Sequence, residues 1–506
     1  MRSVAGTLFG AIDLQRGDSS FLHTQLYNSL RELILDGVLK SEQRLPSTRV
    51  LAEELGISRT TVLTVYDRLN SEGLLYSKIG AGSFVSGILK QRQRELDGAQ
   101  MDKNAAPADT PSLSRSFQEM YNRLPIRVEI SNPQAFSTAI PAIDVFPMDL
   151  WSRLVSRYSR RRDLVRYISS KGYVPLLDAI AAHLHTERGL ECRPEQIYIT
   201  SGAQQAFDFL ARILLDPGDT VWFENPGSRV ARNSFSARGA RLIAVPVDDR
   251  GLDVQQALAI SPQFKLVSVT PSHQQPQGSI MSLARRMELL NAADSANAWI
   301  VEDDFDGEFF YAKQPLPTLF SIARNRRVIY VGTFSKSMFP ALRLGYFVVP
   351  ESLTERLDRS VSSYLPAVPL LLQAAVAEFI DKGHFATHIR KAKRVYRERY
   401  QALSDAIERH LSEYLELIPT ETGFHALALF KRDLDERRIA ELAMQQGLLV
   451  RPLSNYCIEP LASLRGIALG YGCVTPEEIE ASIISLRQVF ASAGQDAPIL
   501  ASEVRR

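Results

Sequence analysis

Between residues 114 and 490, short strand-like runs alternate with helical patterns, and this alternation restricts the fold more than any other feature of the chain. The runs are "QIYIT", "TVWFE", "RLIAVPV", "FKLVSVTP", "AWIVEDDF", "RVIYVG" and "GYFVVP". Strands interleaved with helices pack as a mostly parallel sheet, so an α/β domain is expected. Ligands of such sheets gather at the carboxyl ends of the strands. From about residue 375 the pattern shifts to long helical segments with two strands, "FHALALF" and "GIALGY". A smaller α+β part is expected there.

The 506 residues are too many for one typical domain. Residues 21–87 read as a small helical unit closed by a hairpin. Leu26, Leu30, Leu33 and Ile34 fall at helical spacing and Gly37 follows as a stop. Ser47 is placed to cap a short helix carrying Val50, Leu51 and Leu55, which Gly56 ends. Ser58 is placed to cap a second, with Val62, Val65 and Leu69 on one face. Two short strands then surround the glycines at 80 and 82. Residues 88–113 are polar, without apolar period, and read as a linker. Residues 1–20 form an N-terminal extension and 491–506 a tail.

Charge directs the chain nowhere as a whole, since the formal net is +2. Residues 1–90 hold 10 basic and 9 acidic side chains, a net of +1. DNA affinity must therefore come from a local patch. Helix, turn, helix with Arg59, Thr60 and Thr61 opening the second helix suits phosphate and base-edge contacts. Arg49 on the preceding helix is within reach of a backbone phosphate. A small interaction module with solvated arginines fits the same pattern equally well. Cys192, Cys457 and Cys473 have no metal-ligand spacing and read as buried thiols of a reducing compartment. No apolar run approaches the roughly 18 residues of a membrane span. Gly and Thr interrupt the start of the chain, which has no signal-peptide pattern. A cytoplasmic protein is expected.

The stretch "TFSKSMFPALRLGY" sets Lys336 between two strand-like runs. A desolvated lysine loses proton affinity and becomes a nucleophile toward aldehydes. Pyridoxal phosphate is the usual biological aldehyde. It asks for a phosphate cradle, a carboxylate for the pyridine nitrogen and a stacking surface. "ITSGAQQAFDFLARIL" opens a helix where the amides of Ala203 and Gln204 face an anion. Thr333, Ser335 and Arg343 add hydroxyls and a guanidinium. "WIVEDDFDGEF" supplies Asp303 or Asp304. A solvated acidic loop is the plainer reading of that run, and its spacing matches no metal motif, so no metal is expected.

Two resemblances bear on these readings. "LPSTRVLAEELGISRTTVLTVYDRLNSEGLL" followed by "GAGSFV" resembles the winged helix-turn-helix of GntR-type regulators. It implies that Arg49, Ser58, Arg59 and Thr60 contact double-stranded operator DNA, with the wing glycine Gly80 or Gly82 at the minor groove. "KGYVPLLDAIAAHL", "TSGAQQAFDFL", "TPSHQQPQGSIMSLARRMELL", "VEDDFDGEFFY", "TFSKSMFPALRLGY" and "LGYGCVTPEEIEASI" resemble a fold-type I aminotransferase. Joined, the two resemble the MocR/GabR subfamily of transcription regulators. The resemblance implies an aldimine between Lys336 and pyridoxal phosphate, Asp303 on the pyridine nitrogen, and Ala203, Gln204, Thr333, Ser335 and Arg343 on the phosphate. It also implies Tyr167 at the phosphate of a second subunit, in a head-to-tail homodimer with exchanged DNA-binding domains.

Three positions depart from the subfamily pattern. Phe305 replaces a tyrosine two residues after Asp303, and Ser228 replaces a stacking tyrosine. His273 is either a substitute for that stacking or a structural histidine. Ala468 stands where aminotransferases carry the arginine for the substrate carboxylate. Arg451 and Arg465 are the candidates for that role, each equally readable as a structural residue. A kept cofactor grip with altered substrate-orienting groups favours a sensor of a small amino compound, or of the cofactor itself, over a turnover enzyme. An active aminotransferase with an accessory DNA-binding domain is the alternative.

Overall fold

The computed structural model describes residues 12, 14–15, 21–78, 80–87, 114, 135–166, 171–311, 316–323, 327–461 and 464–493. The expected linker and Tyr167 lie outside them, as does most of the N-terminal extension. The chain divides into two compact units, residues 1–112 and 113–506.

In the first unit three helices precede a hairpin: α1 (Leu22–Leu35), α2 (Thr48–Leu55) and α3 (Arg59–Ser71), then β1 (Leu75–Lys78) and β2 (Gly82–Val85). The caps form where the sequence places them. Ser47 Oγ accepts from the Val50 amide and Ser58 Oγ from the Thr61 amide, each satisfying a donor that the helix start leaves open. Gly56 closes α2 in the left-handed region at φ 62°. Leu26, Leu30, Leu51, Val62, Val65 and Leu69 are buried in one cluster. Leu33 and Leu55 pack at its edge, and Val50 faces outward.

The second unit is built on an eight-stranded sheet in the order β3-β10-β9-β8-β7-β4-β5-β6. These strands are β3 (Ile197–Thr200), β4 (Thr220–Asn225), β5 (Arg241–Asp248), β6 (Gly251–Leu252), β7 (Leu266–Val269), β8 (Trp299–Asp304), β9 (Val328–Thr333) and β10 (Gly345–Val348). Pairings from β5 through β4, β7 and β8 to β9 are parallel. β10 runs antiparallel to both neighbours, because the short segment between Thr333 and Gly345 cannot make the crossover that a parallel pair requires. Cores lie on both faces of the sheet.

A second sheet of four antiparallel strands has the order β11-β12-β14-β13: β11 (Leu415–Leu417), β12 (His425–Phe430), β13 (Arg451–Pro452) and β14 (Gly466–Gly470). It packs with the long helix His384–Leu411 and the helix Pro476–Ala493. That last helix extends three residues into the expected tail. No described helix is long and apolar enough to cross a membrane. None of the three cysteines is in a disulfide, and all are half-buried rather than buried.

Candidate functional site

Lys336 sits on the one-turn helix Phe334–Ser337, directly after β9. Its side chain is half-buried, and Nζ donates 3.0 Å to the Ala139 carbonyl and lies 5.7 Å from the Phe424 ring centre. Its pKa is lowered to about 8, mainly by burial with the Arg451 charge adding to it, while Asp306 and Asp303 oppose the shift. An amine in this state is uncharged in a useful fraction near neutral pH.

Beside it, β3 runs through Ser201 and Gly202 into the helix Ala203–Leu214, whose first amides have no partner within the helix. Arg343, in the left-handed region at φ 48°, lays its guanidinium over Gly202, where a methyl group would come within 3.5 Å of Cζ. Its Nη2 donates to the Ser201 carbonyl at 3.3 Å. A methyl group on Gly345 would meet Gly202 C at 2.9 Å and Ala203 N at 3.0 Å, so β10 braces this turn from behind. Ser335 Oγ is buried without a hydrogen-bond partner among the described residues. Thr333 Oγ1 caps the lysine helix through the Ser335 amide. Helix-start amides, a guanidinium and an unpartnered hydroxyl are the donor types that a phosphate requires.

The structure separates the two acids that the sequence left open. Asp304 is occupied: Arg188 pairs with it at 2.8 Å and Tyr330 donates at 2.6 Å. Asp303 pairs with no cation among the described residues. Burial raises its pKa well above the ordinary value; Asp304, Glu224 and Asp306 add to the rise, and a hydrogen bond from Ser228 opposes it. A buried carboxyl without a counter-charge fits a protonated ring nitrogen, whose charge would compensate it.

The departures from pattern also take definite places. Ser228 offers no stacking face; it is buried with its hydroxyl on Asp303. Phe305 is buried and stacks on His273 at 5.6 Å. His273 is itself buried, with Nδ1 2.7 Å from Asp306 Oδ2. Arg465 does not reach the recess through any described contact: it is exposed and bonded to Asp433. Arg451, by contrast, lies on β13 across from Ala468. It donates through Nε to Thr138 Oγ1 at 3.1 Å, and its charge is felt at Lys336.

Sequence reading missed Arg229. It is half-buried, and burial followed by the nearby Arg451 charge lowers its pKa. Among the described residues no carboxylate pairs with either arginine. The Arg451 charge thus acts on both Arg229 and Lys336. The clue was an unremarkable Arg directly after Ser228, whose proximity to Arg451 only folding creates.

On the smaller unit, Arg49, Ser58, Arg59 and Thr60 are all exposed on one helix-turn-helix. Arg59 Nε bridges back to Thr48 Oγ1 at 3.4 Å. The Ser58 hydroxyl is taken up by the cap, at 3.0 Å from the Thr61 amide. In the wing, Gly80 and Gly82 both have positive φ, 75° and 107°. A methyl group on Gly80 would meet open space, whereas one on Gly82 would come within 3.2 Å of Arg44 Nε. Gly80 is therefore the freer of the two.

A winged helix-turn-helix joined to an aminotransferase-type domain with a lysine recess defines a DNA-binding regulator built on an enzyme fold. Residues 22–85 match the model of bacterial regulatory proteins of the gntR family. Residues 148–481 match that of class I and II aminotransferases. The chain is similar to the probable rhizopine catabolism regulatory protein MocR of Rhizobium meliloti, with 39% identity over 93% of this chain and 94% of that protein. It is 30% identical to the HTH-type transcriptional regulator TauR of Rhodobacter capsulatus, over 94% of this chain and 98% of that one. Among solved structures it resembles LysN, the α-aminoadipate aminotransferase of Thermus thermophilus, complexed with N-(5'-phosphopyridoxyl)-L-leucine. The TM-score is 0.65 at 25% identity, covering 75% of this chain and 95% of that one. The chain belongs to the MocR/GabR subfamily of GntR-type transcription regulators, and its larger unit is a pyridoxal-phosphate-binding domain.

Proposed function

We propose that this regulator senses a small amino compound, or pyridoxal phosphate itself, at Lys336, and that occupancy there sets its grip on operator DNA. The observation that carries this reading is the lysine recess. The residues proposed for the cofactor grip are kept in the sequence, while the groups that orient a substrate for turnover are altered at Phe305, Ser228 and Ala468. When bound, pyridoxal phosphate supplies an aldehyde that exchanges one amine for another. Asp303 would hold the ring nitrogen. The amides of Ala203 and Gln204, the Ser335 and Thr333 hydroxyls and the Arg343 guanidinium would hold the phosphate. His273, stacked on Phe305, lines the same recess.

Arg229 and Arg451 select an effector with an acid group in addition to its amine. Desolvated and without an acid partner, they gain more from an anion than exposed arginines do. A ligand moves the DNA-binding equilibrium only by favouring one of two arrangements of the protein. In this reading those arrangements belong to a cytoplasmic head-to-tail homodimer with exchanged DNA-binding units, in which Tyr167 serves the partner's recess.

The test is visible absorbance of purified wild type and Lys336→Ala, with operator affinity measured before and after a panel of amino acids. A band that vanishes in the variant, and an operator affinity that changes with one amine, are expected. A band unaffected by the substitution removes the assigned lysine. Sustained conversion of an amino donor and a keto acceptor favours the aminotransferase reading instead.

A further inference from the structure

Arg188 is the last residue of the helix Val174–Arg188, and no motif of the sequence marks it as part of the site. Its side chain is only 3% exposed, and that of its partner Asp304 1%. From this buried place the guanidinium reaches three segments. Nη2 donates to Ser272 Oγ at 2.7 Å, in the loop after β7. It also pairs with Asp304 Oδ2 at 2.8 Å, at the end of β8. Nη1 donates to the Gly307 carbonyl at 3.1 Å, just past β8. The Asp304 carboxylate in turn accepts from Tyr330 of β9 at 2.6 Å. β7, β8 and β9 are parallel neighbours, so their carboxyl ends lie side by side, and this one cluster ties them together.

The residues that Arg188 holds share one property. Each adjoins, in sequence, a residue that lines the recess or bonds to one that does. Ser272 precedes His273, Asp304 stands between Asp303 and Phe305, and Gly307 follows Asp306. These neighbours are themselves joined, since His273 Nδ1 lies 2.7 Å from Asp306 Oδ2 and the His273 ring stacks on Phe305. No described contact joins Arg188 itself to Lys336, Ser335 or Arg343. Close packing fixes the cluster further. A methyl group on Gly307 would collide with the Asp304 carboxylate, so only glycine fits there. The Phe310 ring lies against the guanidinium, 5.7 Å from Cζ to its centre.

We propose that Arg188 is the positioning residue of the cofactor site: without touching the cofactor, it holds Asp303, His273 and Phe305 in the arrangement that receives the ring. A buried ion pair stabilises a fold no better than well-packed apolar side chains do. Stability alone therefore gives little reason to place two charges here, whereas geometry does. The donors of a guanidinium lie in one plane and point in fixed directions. A lysine ammonium would balance the Asp304 charge but would not hold Ser272 and Gly307 in the same fork. Binding groups must keep their places to within about 0.5 Å, and partners behind the contact residues supply that precision.

The inference rests on the reading of Asp303 and His273 as cofactor contacts, and the experiment separates the two. Full-length wild type, Arg188→Lys and Ser272→Ala are titrated with pyridoxal phosphate. Three quantities are read: the melting temperature of the cofactor-free protein, the dissociation constant, and the induced circular dichroism of the visible band, which reports the fixed asymmetry of the ring's surroundings. Arg188→Lys keeps most of the melting temperature, because the charge on Asp304 stays balanced. It binds the cofactor at least about tenfold more weakly, as loss of an outer partner does at metal sites, and its dichroic band shrinks. Ser272→Ala removes one arm and leaves no charge unpaired. It weakens binding by about threefold, the worth of one hydrogen bond, and keeps the proposal testable if the lysine variant does not fold. A folded variant whose affinity and dichroic band match the wild type overturns the inference. So does an affinity that falls only in step with the melting temperature, because Arg188 would then serve stability alone. A wild type without a visible band removes the cofactor reading and the inference together, whereas a wild-type band that the variants keep unchanged removes the inference alone.

Discussion

Arg451 stands directly across from Ala468 in the pairing of β13 with β14. Residues opposite each other in an antiparallel pair project to the same face. Arg451 therefore shares a sheet face with Ala468, and its charge reaches Arg229. Arg451→Ala is expected to weaken binding of an acid-bearing amine by about 10- to 100-fold, the worth of a charged hydrogen bond at a half-buried site. The decarboxylated amine should lose little. Titration of the visible band with each ligand checks the difference.

The depressed pKa of Lys336 gives a pH prediction. The uncharged amine is the reactive form, so cofactor uptake should rise with pH through a midpoint near about 8 rather than near the usual lysine value. The sign for stability follows from the same shift. Folded protein binds fewer protons here than unfolded chain between the two pKa values, so this group's contribution to stability rises as pH climbs from about 8 toward that of a free lysine. Lys336→Met should flatten both profiles, as stopped-flow absorbance and thermal melts would record.

Gly345→Ala should loosen the cofactor without touching the DNA-binding unit. A methyl group there presses on the backbone of Gly202 and Ala203, which cannot yield as a side chain would. The expected result is at least about a tenfold faster loss of cofactor on dialysis, from a cost of at least ~1.4 kcal/mol for overpacking against backbone. Operator affinity of the cofactor-free protein should stay as in the wild type.

The complementary experiment lies in the small unit. Leu69 is fully buried between its helices. Leu69→Ala should cost about 2–5 kcal/mol of that unit's stability and abolish operator binding while the visible band survives. Arg59→Ala leaves the fold intact, since the side chain is exposed with one long bond to Thr48. It should reduce operator affinity and lower the salt slope by about one. Fluorescence anisotropy at several salt concentrations resolves the two.

What was legible in the sequence is what local chemistry dictates. Ser47, Ser58 and Gly56 fix helix ends within a few residues of chain, and the structure places each as expected. The seven strand-like runs of the large unit became β3, β4, β5, β7, β8, β9 and β10, because apolar runs of that length must pair and be buried. Lys336, Asp303 and the Gly202–Ala203 turn could be singled out as candidates because each lies at the end of such a run. Tertiary structure alone decided the rest. It assigned Asp304 to Arg188, more than a hundred residues away in sequence, and so left Asp303 uncompensated. It turned Arg465 out to Asp433 and brought Arg229 to Arg451. It also joined His273, Asp306 and His425 from three segments. Charge–charge and burial effects depend on distance through space and on the loss of water, and neither is set until the two sheets and their loops have closed around the recess.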